Sequence, residues 1–125
     1  MPVTGVACEG VRDGCAALRF AIVEECRQQG IRMARPPRGD VLVRLDVEEI
    51  EARSEQQFGT TFVVRTYSIE AGGSSPHFDE ELVLPPKMVS FDARLGREKL
   101  REQSRVIASE LVDQIRKYWT SNRPR

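Results

Sequence analysis

The chain has 125 residues, the usual size of one compact domain and enough to bury roughly two thirds of the unfolded surface without help from disulfides or metal. Its 19 Lys plus Arg balance 19 Asp plus Glu, so no net field draws it toward nucleic acid or an anionic membrane from a distance. Hydrophobic residues make up 40% and charged residues 30%, a globular composition, and apolar runs such as Phe62-Val63-Val64 are far too short to span a bilayer.

From the N-terminus, the β-branched stretch Val3 to Cys8 predicts a short strand, with a turn at Glu9-Gly10. Val11, Cys15, Leu18, Ile22 and Cys26 then recur at intervals of three and four, one face of a helix over Val11–Gln29. Asp13 is an eligible N-cap for it, and Gly30 has the place of a C-terminal stop. Ile31 to Gly39, with Pro36-Pro37, reads as an exposed connection.

The clearest strand follows. Val41, Val43, Leu45 and Val47 alternate with Leu42, Arg44, Asp46 and Glu48, so one face is apolar and the other meets solvent or a partner. Ile50 breaks the alternation, which implies a bulge or the strand's end near Glu49. Arg53 to Gly59 reads as a polar turn, and Thr60 to Ile69 as the second strand of a hairpin. Ala71 to Pro76 is turn-like, a third strand is expected from about His77 to Leu84, and Met88 to Phe91 suits an edge strand after Pro85-Pro86. Asp92 is placed to cap a last helix, Leu95–Trp119, with an apolar stripe of Leu100, Ile107, Leu111, Ile115, Tyr118 and Trp119. Glu102 and Arg105 are spaced to pair on its polar side.

This order, β-α-β-β-β-α, predicts an α+β two-layer sandwich: two helices on one face of a three- to four-stranded, mainly antiparallel sheet. The expected domain spans residues 3–119, with 120–125 as a frayed tail. Opposite charges alternate along both helices and the polar strand faces, so neutrality is expected to be local as well as global.

Little in the chain promises catalysis. His77 is the only histidine, and Ser74 or Ser75 with His77 and Asp79 forms a triad in name alone, because working triads join residues from separate rigid elements. The acidic run Asp46 to Glu51 with Asp79-Glu80-Glu81 lacks a calcium-loop pattern, and pairing of these acids with Arg44 and Arg65 across strands accounts for it. Gly72-Gly73 lies between strands, where it cannot form a phosphate loop, and no GxxG loop or row of stacking aromatics favours RNA. The only lysines are Lys87, Lys99 and Lys117; every other basic residue is arginine, spread along the chain without a basic block. No catalytic, cofactor or metal residue is assigned. Cys8, Cys15 and Cys26 make no metal-binding spacing; packing of Cys15 and Cys26 on the first helix is expected, with a Cys8–Cys15 or other disulfide as the alternative.

The first helix closes in Gly30-Ile31-Arg32, and the last carries Ser104-Arg105-Val106-Ile107-Ala108-Ser109-Glu110-Leu111-Val112-Asp113-Gln114-Ile115. With the strand, helix, meander, helix order, these features resemble bacterial envelope accessory domains: the amino-terminal domain of TolB and LptE-like outer-membrane lipoproteins. The resemblance implies a non-catalytic interaction module in the periplasm or at the outer membrane, docked to a larger envelope protein. A homodimer through a sheet edge is a further expectation, because an open meander offers strand addition. Gly5-Val6-Ala7-Cys8 is faintly like a lipoprotein cleavage site but has no apolar stretch before it, so the expected location is the envelope if an export signal has been removed and the cytoplasm otherwise. Arg44, Asp46, Glu48, Arg65 and Tyr67, on the exposed strand faces, are the expected partner contacts. A small-ligand-binding or regulatory α+β domain is the alternative function.

Overall fold

The computed structural model describes residues 2–36 and 38–122, which form six strands and two α-helices. In chain order these are β1 (Thr4–Gly10), α1 (Arg12–Gln28), β2 (Met33–Ala34), β3 (Val41–Gln57), β4 (Thr60–Ser74), β5 (Leu82–Val83), β6 (Lys87–Asp92) and α2 (Gly96–Ser121), with a 3₁₀ turn at Ala93–Leu95 before α2. The strands make one sheet in the order β2-β1-β3-β4-β5, with β6 also pairing β4.

The α+β two-layer build expected from the sequence is present. The sheet has six strands where three or four were expected, because Met33–Ala34 in the proline-containing connection adds to β1 and Lys87–Asp92 pairs with β4 as a strand of its own beside the short Leu82–Val83. It is antiparallel from β3 onward, whereas β1 runs parallel to both its neighbours, β2 and β3. That parallel step follows from α1, which carries the chain back across the sheet between β1 and β3.

The alternation in β3 decides which face the helices cover. Val41, Val43, Leu45 and Val47 are buried, and they meet Leu18, Ile22 and Cys26 of α1 and Leu111, Val112 and Ile115 of α2 in the core. Each such aliphatic side chain contributes about 1.5–3 kcal/mol on leaving water. The stripe expected on α2 is the buried one, except that Trp119 is only partly covered and Ser104 and Ala108 complete the contact.

Several boundaries differ from expectation for physical reasons. Asp13 caps nothing; Val11 holds the N-cap position, and its N–H donates to the Val47 carbonyl of β3. Gly30 does end α1, with φ of +73°. Asp92 caps the 3₁₀ turn by accepting from the Arg94 N–H, and Glu102 pairs with Lys99 instead of Arg105. Of the expected polar turn at 53–59 only Phe58-Gly59 turns; 53–57 are strand, because a ribbon with both faces in water needs no apolar alternation and its partner strand is β-branched. Gly72 and Gly73 also lie in a strand, where a Cβ on Gly73 would come within 2.9 Å of the Leu42 carbonyl. The third strand shrinks to Leu82–Val83, leaving His77 in a turn. The last helix reaches Ser121 with Asn122 as its C-cap, whose N–H donates to the Tyr118 carbonyl, and 123–125 of the expected tail, like Pro37, lie outside the described residues.

Gly10 closes β1 against β3 with φ of +112°, and a Cβ there would lie 1.9 Å from the Val47 carbonyl oxygen. Gly10→Ala should therefore cost about 2–4 kcal/mol by strain and overpacking, measured as a lowered urea midpoint at unchanged slope.

Candidate interaction surface

The helices leave the opposite face of the sheet open, and register places its side chains in rows. Ala7, Arg44 and Gly72 form one row across β1, β3 and β4, and Glu9, Asp46 and Glu70 form the next. They line an open hollow of about 500 Å³ together with Leu45 and Ala71. Three carboxylates stand on adjacent strands, with Glu48 two residues beyond Asp46 and Arg44 the one cation in these rows. Like charges facing one another across strands oppose folding by a few tenths of a kcal/mol each. The local neutrality expected from the sequence is thus lost here, because the parallel pairing with β1 brings Glu9 beside Asp46.

The expected contact residues separate. Arg44, Asp46 and Glu48 are exposed on this open face. Arg65 pairs with Glu49 at 3.3 Å, whereas Arg44 makes no ion pair among the described residues. Tyr67 is 5% exposed and turns inward, its ring edge-on to Phe91 at 5.2 Å between centroids, so it belongs to the core and not to a contact surface. Glu9 and Glu70 line the hollow without having been singled out in the sequence. Only the register of β1 against β3 would have pointed to Glu9.

The bulge foreseen at Ile50 is present, between the pairs Glu49–Tyr67 and Glu51–Thr66, and the strand runs on beyond it. Past Gly10 β1 no longer borders β3, and beyond Val64, where β6 leaves the other side of β4, β3 and β4 continue as a two-stranded arm from Ser54 to Val63. Phe58 and Gly59 turn its tip with φ of +51° and +76°, the positive values that a two-residue hairpin turn of type I′ requires. Phenylalanine there costs about 1–2 kcal/mol relative to glycine, and its ring is 97% exposed. At the arm's base Arg94 holds Asp92 bidentately and lies 4.8 Å from the Phe62 ring centre.

No triad assembles around His77. Its ring Nε2 lies 3.0 Å from Asp40, not Asp79, and Ser75 Oγ accepts from the His77 backbone N–H. The ring stands in an aromatic group with Phe78 and Trp119, while the Tyr118 hydroxyl donates to the Glu80 carbonyl. Asp40 accepts the Val3 N–H, and that bond, followed by the one to His77, holds its carboxyl below the usual range. Among the described residues no group of three or more His, Cys, Asp or Glu side chains is set to hold a metal ion.

Cys8 and Cys15 form a disulfide across the β1–α1 turn, which corrects the expectation that Cys15 packs as a free thiol. The bridge is within reach because Val11 starts the helix directly after the strand. Cys26 is free and buried, and burial, then the nearby Glu25, pushes its thiol up to about 11.

These features define an open-faced α+β sandwich with a projecting hairpin. No family model and no curated protein matches the chain. Among solved structures, protein XCC0632 from Xanthomonas campestris, of family DUF330, superposes with a TM-score of 0.57 at 10% identity, over 94% of this chain and 87% of that one. Lipoprotein GNA1162 from Neisseria meningitidis gives 0.49 at 12% identity, over 92% and 99%. The rare lipoprotein B from Shewanella oneidensis gives 0.42 at 14% identity, over 94% of each chain. The fold is shared with XCC0632, and bacterial lipoproteins stand among the structures this chain is similar to. No helix among the described residues is long and apolar enough to cross a membrane.

A carboxylate held low in the folded state adds stability above its unfolded pKa, and that stability is lost as pH falls through the folded value. The stability difference between the wild type and Asp40→Asn should therefore be constant at neutral pH and shrink on acidification below the ordinary carboxylate range, as read from urea melts across pH.

Proposed function

We propose that this chain is a non-catalytic interaction module, an accessory part of a bacterial envelope assembly, that docks a larger protein on the open face of its sheet. The observation that carries the reading is the face itself: the central strands β1, β3 and β4 present Glu9, Asp46, Glu48 and Glu70 around Arg44, uncovered by either helix. A basic surface entering the hollow would relieve the mutual repulsion of these acids, so charge complementarity would set orientation and encounter rate.

The Cys8–Cys15 bridge supports an oxidising compartment, where such bonds persist. Closing this short loop contributes about 2–3 kcal/mol by chain entropy. The sequence resemblance to LptE-like and TolB amino-terminal domains points to the same place.

The hollow of about 500 Å³ gives the alternative, a small-ligand-binding or regulatory domain, its own footing. The two readings separate in one experiment. Crosslinked envelope preparations should yield a defined complex with the wild type. Arg44→Glu, which makes the patch wholly acidic and alters its shape, should change the recovery of that complex at least about threefold, with the melting temperature within about 2 °C of wild type. Equal recovery by both chains would count against the open face. A metabolite that raises the melting temperature of the isolated chain, with no complex recovered, would favour the ligand reading.

A further inference from the structure

We propose that a second copy of this chain adds to the free edge of β3 in the arm, antiparallel and centred on Ser54, so that two sheets join into one. β1 covers that edge only as far as Val47, while β4 lies along the other edge from Leu42 to Gln57. From Glu48 to Gln57 the edge is therefore unpaired among the described residues, and the stretch holds neither proline nor lysine, two usual guards against strand addition. The stretch carries four glutamates to one arginine, but about Ser54 the charges are paired within the strand: Arg53 lies 2.7 Å from Glu55 and 3.5 Å from Glu51.

Symmetry limits the registers. A two-fold axis normal to the sheet keeps side chains on their own face, so it must pass through a residue and pair positions of like parity. Centring on Arg53 sets Arg53 against itself and Glu51 against Glu55. Centring on Glu55 sets that carboxylate against itself, and centring on Ala52 opposes Glu49 and Glu55 across the bulge. Centring on Ser54 opposes Arg53 to Glu55 and Glu51 to Gln57, each twice, with Ala52 facing Gln56. No like charges meet in this register. The same pairing carries Phe58 to Ile50 of the second copy, joining two exposed apolar side chains, one 97% and the other 49% accessible. The conformationally costly phenylalanine at the tip thereby acquires a contact.

The edge lies apart from Arg44 and the hollow, so this inference stands or falls independently of the open-face reading. Sedimentation of the full chain over a range of concentrations tests it. The wild type should dimerise, and Arg53→Glu and Glu55→Arg should each weaken the dimer at least about tenfold, because each places like charges in two symmetric contacts. An equimolar mixture of the two variants should recover a dimer, since each reversed charge then meets its opposite in the other chain. Phe58→Asn should weaken the dimer while raising the melting temperature of the monomer, asparagine being better suited to positive φ. Circular dichroism checks that each variant is folded. A wild type monomeric up to about 1 mM, single variants that dimerise as the wild type does, or a mixture no better than its components would overturn the proposal.

Discussion

The alternation of Val41, Val43, Leu45 and Val47 is the constraint on which the rest of the structure depends. Because side chains on a strand take opposite faces in turn, burying these four under α1 and α2 forces Arg44, Asp46 and Glu48 outward. A slip of one residue would exchange the two sets and put carboxylates beneath the helices. β3 also pairs on both sides over Leu42–Val47, with β1 and β4. One strand therefore sets the helix layer, the register of its neighbours and the chemistry of the uncovered face.

The bulge at Ile50 ends that arrangement. Val47 and Glu49 share the helix side with Ile69 and Tyr67, whereas Glu51 lies with Thr66 on the other, so parity reverses beyond the bulge. The reversal coincides with the end of β1, and from there the strand has no core to serve. Glu51, Arg53 and Glu55 then stand in a line on one side, free to pair with each other. An arm of this kind gains its stability from cross-strand contacts and the β-branched residues of β4, not from burial.

Where burial dominates, the sequence was readable. The helices, the inward face of β3 and the irregularity at Ile50 all follow from spacing of apolar residues, and the two-layer fold follows from them. Legibility failed where pairing is non-local or burial absent. Nothing local announces that β1 lies parallel to β3, so Glu9 could not be placed beside Asp46. Residues 53–57 carry too little apolar pattern to declare a strand. Tyr67 misled because its neighbours Arg65 and Ser68 are polar, while its own position is set by pairing with Glu49, the last regular pair before the bulge, and by Phe91 on β6. Of the contact surface, Arg44, Asp46 and Glu48 were legible, and the acids that surround them from other strands were not.

The parallel pairing of β1 also has a kinetic side. The β3–β4 hairpin closes through a two-residue turn and can form early, whereas β1 must wait for α1 and the following connection to bring Thr4 to Val41. Until then the edge of Val41–Val47 is bare and strongly apolar, a template for pairing with other chains. Gly10 and the Cys8–Cys15 bridge lie at the point where β1 turns back into α1. The oxidised bridge shortens that search by tying the strand to its helix, so oxidation before docking would shield the nascent edge sooner and reduce losses to aggregation.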